Sequence, residues 1–165
     1  MTIHFAVLDE CPSAAQLEMA RGLVREYAAL PHTVGRWSTA SADIAALPAP
    51  FVHPRGVFVI AMDNAHAIGC GAVLQLEPGI AEMKRVYVRP AARGRGIGEA
   101  LVKVLLDHAA ALGCSRVRLD TAPELQAAQA LYRRLGFQPI APYRAGLLPD
   151  AVCLELTLGV GPAIE

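Results

Sequence analysis

Residues 84–98 read KRVYVRPAARGRGIG and lead from a β-prone segment, across Pro90, into an apolar helix pattern. The stretch holds five of the 15 Lys and Arg residues of the chain and no acidic residue. Gly94, Gly96 and Gly98 stand where the helix would begin. Free backbone N–H groups and the helix dipole favour an anion there, and glycine lets a phosphate approach the main chain. The stretch predicts a phosphate site; the alternative is an ordinary glycine turn with solvent-facing arginines.

Two common phosphate-binding patterns do not fit this spacing. A Walker A loop needs a Lys-Ser/Thr pair after its last glycine, but Glu99 and Ala100 follow Gly98. The dinucleotide fingerprint G-x-G-x-x-G fails because the third glycine comes two residues after the second, although Asp120 imitates its ribose-binding acid. Only 45 residues follow Asp120, too few for the rest of a doubly wound sheet. A nicotinamide-dependent oxidoreductase is therefore a distant alternative.

Outward from this stretch, the apolar pattern predicts a mixed α/β fold. Strands are expected at 3–8, 56–62, 67–76, 80–88, 115–121 and within the tail PDAVCLELTL. Helices are expected from Ser13 to about Leu30, over 96–112 and over 123–135, with at most a short one near 42–47. Three consecutive strands form an antiparallel meander. The strands at 80–88 and 115–121 flank a helix, so the crossover rule makes them parallel.

The composition describes one compact domain, residues 1–165. Lys plus Arg and Asp plus Glu number 15 each, so the net charge is zero, and 54% of the residues are hydrophobic. A neutral chain lacks the basic field that non-specific binding to nucleic acid or an anionic membrane requires, so neither partner is expected. The four cysteines and five histidines show no metal-ligand spacing, which predicts no metal site.

The sequence also gives expectations about location and assembly. Asp9 and Glu10 stand where a signal peptide would need apolar residues, and no apolar run approaches the roughly 18 residues of a membrane span. A cytoplasmic protein is therefore expected. The apolar C-terminal strand could add to the sheet of a second copy, so a homodimer is an open expectation.

Two motifs carry a resemblance to a known family. The pattern R-x-x-G-x-G is filled by Arg93, Gly96 and Gly98, and AAQALYRRLGF at 127–137 has the form A-x-x-L-Y-x-x-L-G-F. Together with the strand order, they resemble the GNAT superfamily of acyl-CoA-dependent N-acyltransferases. The resemblance implies a mixed, mostly antiparallel sheet with a splayed parallel strand pair, flanked by helices. It also implies acetyl-CoA as co-substrate and no metal.

The resemblance assigns roles to residues one by one. The pyrophosphate would lie on the loop formed by Arg93, Gly94, Arg95, Gly96, Ile97 and Gly98. The pantetheine arm would pair with the main chain at Val86 and Val88. Tyr132 would be the general acid that protonates the departing thiolate, and Glu82 would be the general base. The family often has an Asn before its L-Y block that contacts CoA, whereas Leu125, Gln126 and Gln129 stand there in this chain.

Each of these roles has a plainer alternative in the residues themselves. Glu82 shares strand parity with Val86, yet it could pair with Lys84 or Arg85, and a bulge would change its face. Tyr132 could be a packing residue of its helix. Trp37 reads as a core or lid residue rather than an acceptor contact.

The function expected from the resemblance is N-acetylation of a small amine or amino-acid-like acceptor by direct attack in a ternary complex. The alternative is a CoA-binding or regulatory module without turnover. The acceptor cannot be read, because its pocket would be built from 31–55, 76–80 and 138–150, which contain no motif.

Overall fold

The computed structural model describes residues 2–159, which form one seven-stranded sheet with helices on both faces. The strands are β1 (Ile3–Val7), β2 (Gly56–Asp63), β3 (His66–Glu77), β4 (Ile80–Val88), β5 (Arg116–Thr121), β6 (Gln138–Pro139) and β7 (Val152–Thr157). The helices are α1 (Ala14–Ala28), α2 (Ala40–Ala46), α3 (Ile97–Ala111) and α4 (Gln126–Arg134), with a 3-10 turn at Pro90–Ala92.

The strand order is β1-β2-β3-β4-β5-β7-β6, and every neighbouring pair is antiparallel except β4 and β5. The predicted meander and the predicted parallel pair are both confirmed. The mixed, mostly antiparallel sheet is confirmed as well.

Apolar side chains fill both faces of the sheet. Leu101 and Leu105 of α3 are fully buried against one face, and Leu23 of α1 and Phe58 of β2 are fully buried on the other. Because β2 is covered on both faces, seven of its eight residues are buried. This double burial explains why its sequence is a continuous apolar run rather than an alternating one.

The parallel strands β4 and β5 pair only at their beginnings. Ile80, Ala81 and Glu82 are in register with Arg116, Val117 and Arg118, and the pairing ends there. Beyond Glu82 the two strands diverge, so the edge of β4 that faces β5 has backbone groups without a strand partner. Such groups can accept an extended ligand by strand-like hydrogen bonds.

A bulge in β4 changes which residues share a face. Tyr87 lies opposite Cys70 and Lys84 opposite Ala72, so two residues of β4, Arg85 and Val86, oppose one residue of β3. Arg85 has a φ of 59°, a left-handed conformation that is uncommon outside glycine.

The bulge places Glu82 and Val86 on opposite faces of the sheet. Val86 and Val88 pack with the α3 core, whereas Tyr87 belongs to the α1 core. Ala81 and Met83 also lie in the α3 core, so Glu82 between them points to the α1 face. The parity expected from an unbroken strand is therefore wrong for Glu82.

The helix α4 begins later than the sequence predicts. The helix expected from residue 123 begins at Gln126, because the side-chain amide of Gln129 donates to the carbonyls of Ala122 (3.0 Å) and Pro123 (3.1 Å) and holds a turn there.

The C-terminal strand β7 pairs with β5 along its length and with β6 at two positions. A homodimer through β7 stays a prediction. Within residues 2–159, no helix has the length and apolarity to cross a membrane.

Candidate active site

The loop between β4 and α3 presents open backbone amides. Gly94 and Gly96 have φ values of 76° and 74°, conformations that glycine adopts at little cost. Gly96 is the N-cap of α3 and has no capping side chain, and its carbonyl accepts the N–H of Ala100 (3.1 Å). The amides of the first turn, including those of Ile97 and Gly98, therefore have no helical partner. Unpaired amides at the positive end of a helix dipole favour an anion, as the predicted phosphate site requires.

The two arginines of the loop are bound to the protein itself. Arg93 donates from Nε to the carbonyl of Val88 (2.9 Å), and its guanidinium lies 5.9 Å from the centre of the Tyr87 ring. Arg95 pairs with Asp63 of β2 at 3.1 Å. Both side chains brace the loop, and Arg95 is neutralised by Asp63, whereas Arg93 donates to an uncharged carbonyl and keeps its positive charge beside the backbone amides. The predicted cofactor-binding roles of residues 93–98 stay predictions.

The divergence of β4 and β5 opens into a cavity of about 380 Å³. Its walls come from the end of α1 and the chain to α2, from the middle of β4, from the end of β5 with α4, and from the loop before β7. Among the predicted site residues, Val86 and Tyr132 line this cavity, whereas Glu82 does not. The backbone edge of β4 at Val86, which faces β5, and the phenol ring of Tyr132 therefore lie on the same cavity.

Tyr132 is buried on α4 at the wall of the cavity, with 7% of its surface exposed. Its ring packs edge-on against Phe137 at 5.5 Å between centroids. Among residues 2–159 its hydroxyl has no hydrogen-bond partner, and it is not sealed from solvent. Burial raises the pKa of Tyr132, so the phenol stays protonated at neutral pH and can donate a hydrogen bond.

Glu82 is buried and fully engaged by neighbours. Its carboxylate accepts from the hydroxyl of Tyr143 (2.7 Å) and from Nε of Arg144 (2.6 Å). The ammonium of Lys84 lies 3.2 Å away. Burial alone would raise the pKa of Glu82, but the hydrogen bonds from Arg144 and Tyr143 and the charge of Lys84 outweigh it and hold the pKa below its usual value. The base role of Glu82 stays a prediction, and these contacts favour a structural role.

Asp120 is a carboxylate of the cavity, and it was not predicted as a site residue because its likeness to a ribose-binding acid belonged to a fingerprint that fails. It lies near the end of β5 and lines the cavity. The nearest cation is Nη2 of Arg144 at 3.9 Å, and about a third of the side chain is exposed. Burial and the charge of Glu82 raise the pKa of Asp120. The only sequence signal was its place at the end of a strand, in LDT.

Arg85 projects from the β4 bulge into the same cavity. Its guanidinium lies 3.7 Å from the centre of the Trp37 ring and 3.7 Å from Asp43. The indole N–H of Trp37 donates to Asp43 (2.7 Å), which fixes the stack. Trp37 lines the cavity, a position that fits the lid rather than the core half of the expectation for this residue. No pattern in the sequence indicates that Trp37 packs on Arg85.

Gln129 can replace the Asn that often contacts CoA in the family only through its side-chain oxygen. Its amide N–H groups are already bound to the carbonyls of Ala122 and Pro123. This leaves Oε1 of Gln129 for a ligand, and Gln126 at the start of α4 is the other Gln at this place. Across residues 2–159 there is no cluster of three His, Cys, Asp or Glu side chains that could hold a metal ion.

Comparisons with known proteins agree with this geometry. A protein of Schizosaccharomyces pombe named as an uncharacterized N-acetyltransferase is 39% identical over 107 residues, 64% of this chain and 66% of the relative. The IAA acetyltransferase of Azospirillum brasilense is 39% identical over 90 residues, 52% of this chain and 59% of the relative. The chain thus spans slightly less than two thirds of the length of these relatives.

A solved structure with a similar fold contains acetyl-CoA. The phosphinothricin acetyltransferase of Sinorhizobium meliloti, in complex with AcCoA, has a TM-score of 0.75 and 25% identity, over 100% of this chain and 93% of that one. The family described as "Acetyltransferase (GNAT) family" matches residues 22–137. Since that match covers well over half of the sequence and includes both motifs, the chain belongs to the GNAT acetyltransferase family.

Proposed function

We propose that this chain is an acetyl-CoA-dependent N-acetyltransferase. It moves an acetyl group to the amine of a small molecule or amino-acid-like acceptor by direct attack in a ternary complex. The observation that carries the proposal is the free, protonated hydroxyl of Tyr132 at the wall of the cavity between β4 and β5. Family membership supports the same reaction. A cytoplasmic location and the lack of a metal stay predictions.

The residues present fit acetyl-CoA. Its pyrophosphate needs hydrogen-bond donors, and the open amides of residues 94–98 supply them at a helix N-terminus. Its pantetheine arm needs backbone partners, and β4 offers the free edge at Val86. The carbonyl of Val88 already accepts from Arg93, so Val86 is the better of the two predicted contacts.

The protein would stabilise both charges that develop in the reaction. A backbone N–H near Val86 can donate to the thioester oxygen as negative charge grows on it. Tyr132 can donate a hydrogen bond or its proton to the departing thiolate. In water the pKa of a phenol lies only about 1.5 units above that of a thiol, so the two groups can share a proton in the transition state. The N–C bond forms as the C–S bond breaks, without an acyl-enzyme.

The alternative, a CoA-binding module without turnover, is less well supported. Such a module needs the loop and the cleft, but it does not need an unpartnered hydroxyl at the cavity wall. Tyr132 keeps its ring packing on Phe137 without that hydroxyl, so packing alone does not account for a Tyr at this position.

Thiol release from acetyl-CoA across a panel of small amines tests the proposal, with mass spectrometry of each amine to identify the acetylated product. We expect transfer to at least one amine and a strong loss with Tyr132→Phe. Acetyl-CoA binding without transfer to any amine would support the silent module. A lack of acetyl-CoA binding would contradict both functions.

A further inference from the structure

We propose that the acceptor is a zwitterion, an amine that also carries a carboxylate or another anionic group. Arg85 binds the anion, and Asp120 binds the ammonium and takes its proton. This inference rests on the proposed function and names the substrate class and the base of the same site. Both residues line the cavity on the side away from the α3 core.

The guanidinium of Arg85 has hydrogen-bond donors that are available to an anion in the cavity. Its side chain is 16% exposed, and within residues 2–159 its guanidinium makes no side-chain hydrogen bond, only the 3.7 Å contact with Asp43. Trp37 holds the guanidinium flat from one side, which leaves its donors directed along the plane of the group. A guanidinium with free donors at a cavity wall matches a carboxylate or phosphonate, which can accept two parallel hydrogen bonds.

The backbone at Arg85 supports the same reading. A left-handed φ in a residue with a side chain is strained and persists where the surrounding structure imposes it. Here the bulge is what turns Arg85 toward Trp37 and the cavity, because an unbroken strand would place it on the face of Met83, in the α3 core.

Asp120 is the carboxylate of the cavity that is available to an ammonium. Asp43 accepts hydrogen bonds from Trp37 and Thr39, and Asp150 pairs with Arg36. Among residues 2–159, the side chain of Asp120 accepts no hydrogen bond from another residue, and Arg144 at 3.9 Å is beyond bonding distance. Arg144 is itself committed to Glu82. Nε of Arg144 is bound to Glu82, and its Nη2 is the atom that approaches Asp120.

The charges around the cavity fit a ligand of zero net charge. Four basic side chains line it, Arg36, Lys84, Arg85 and Arg144. Three acidic side chains line it as well, Asp43, Asp120 and Asp150, and buried Glu82 beside Lys84 and Arg144 balances the fourth cation. A simple cationic amine would leave Arg85 without a hydrogen-bonded anion, and a simple anion would leave Asp120 without a hydrogen-bonded cation. A zwitterion pairs both.

The proton steps balance with these residues. Asp120 accepts one proton from the ammonium, which frees the lone pair that forms the N–C bond. The nitrogen loses a second proton as the C–S bond breaks, while Tyr132 protonates the thiolate and recovers that proton. The proton on Asp120 then leaves to solvent, so the products are the amide, CoA thiol and one released proton.

Matched acceptor pairs test the anion contact in the full-length protein. The panel contains the twenty L-amino acids, the primary amide of each, and simple amines without an anion. For the amino acid that is acetylated most efficiently, we expect kcat/KM to be roughly a hundredfold higher than for its primary amide, because the amide lacks the charged group that accepts hydrogen bonds from Arg85. Arg85→Gln should raise KM for the acid and leave the amide nearly unchanged, so that the preference is lost.

Arg36→Gln is the matched control, because Arg36 lines the same cavity but is paired with Asp150. It should retain the preference for the acid over the amide. Calorimetric titration of the same acid into the enzyme with CoA gives a readout other than turnover. Arg85→Gln should weaken this binding at least about tenfold, and Arg36→Gln should change it less.

Asp120→Asn tests the other end of the acceptor. The amide keeps the shape and one acceptor oxygen, so we expect kcat to fall by about 10² or more while acetyl-CoA affinity is unchanged. Equal rates for acids and amides, or a preference that survives Arg85→Gln, would overturn the inference and leave the proposed function standing. Acetyl transfer to no amine at all would overturn both.

Discussion

The two halves of the β4–β5 cleft are built in different ways. The half expected to hold CoA is one continuous segment, from Val86 through the first turn of α3, and its binding groups belong to the main chain, with the loop amides set by glycine conformations. The acceptor half is assembled from four separate parts of the chain, and its binding groups are side chains. A backbone-built site leaves a motif in the sequence because only certain residues permit its conformation, whereas a side-chain-built site exists only once the chain has folded.

The meeting point of the two halves is Tyr132, and its hydroxyl should give the largest effect. Tyr132→Phe preserves the ring that packs on Phe137 and removes only the donor. We expect kcat to fall by about 10² to 10⁴, with acetyl-CoA affinity unchanged. Steady-state thiol release with a separate acetyl-CoA titration measures both. Equal kcat in the two proteins would leave Tyr132 as a packing residue only.

The variant Glu82→Gln distinguishes a structural role of Glu82 in the acceptor half from a catalytic role. Glu82→Gln leaves Arg144 and Lys84 without their buried carboxylate, so we expect the free energy of unfolding to fall by about 3 kcal/mol. Urea denaturation at neutral pH measures the loss. Glu18→Gln, which removes an exposed pair with Arg25, is the control and should leave the midpoint nearly unchanged. An unchanged midpoint together with a hundredfold loss of kcat would restore Glu82 as the base.

The same carboxylate gives a pH dependence with a definite sign. Burial opposes ionisation of Glu82, but Arg144, Lys84 and Tyr143 hold its pKa below its usual value in the folded protein. Its contribution is therefore fully present above the unfolded pKa, about 4.3, and is lost as pH falls through the folded pKa. The stability difference between wild type and Glu82→Gln should shrink below about pH 4. A constant difference down to the acid transition would contradict this.

Gly96→Val addresses the CoA half alone. No heavy atom lies within 4 Å of a Cβ placed at Gly96, but its φ of 74° disfavours a β-branched residue, and the new side chain would stand beside the open amides. We expect the dissociation constant of acetyl-CoA to rise at least about tenfold, or 1.4 kcal/mol. Binding of a dead-end acceptor should change less. Unchanged acetyl-CoA affinity in a folded variant would remove the loop from the site.

Trp37→Leu addresses the acceptor half alone and should give the smallest effect. It removes the aromatic face that supports the guanidinium of Arg85, an interaction of about 0.5–1 kcal/mol at a partly open site. We expect KM for the acceptor to rise about two- to fivefold with acetyl-CoA affinity unchanged. Initial rates at saturating acetyl-CoA measure it. A matching loss of acetyl-CoA affinity would show that the two halves are not independent.

The sequence was sufficient for the fold and for locating the glycine loop at the start of α3, whose role in binding CoA stays a prediction. Apolar periodicity and the crossover rule gave the meander and the parallel pair, and R-x-x-G-x-G marked the loop at the start of α3. It was insufficient for the acceptor half, because one residue inserted into β4 at the bulge moves Glu82 to the other face and turns Arg85 into the cavity. Asp120 and Trp37 come near Arg85 only through the sheet order and the α1–α2 segment, which no local pattern encodes.

A crystal structure of the protein with acetyl-CoA tests the central claim most directly. The account predicts the pyrophosphate oxygens within about 3.2 Å of the amides of residues 94–98 and the pantetheine arm along β4 at Val86. It also predicts the thioester sulfur beside the hydroxyl of Tyr132, with the acetyl group directed toward Asp120. A pyrophosphate bound away from this loop, or a sulfur out of reach of Tyr132, would contradict it.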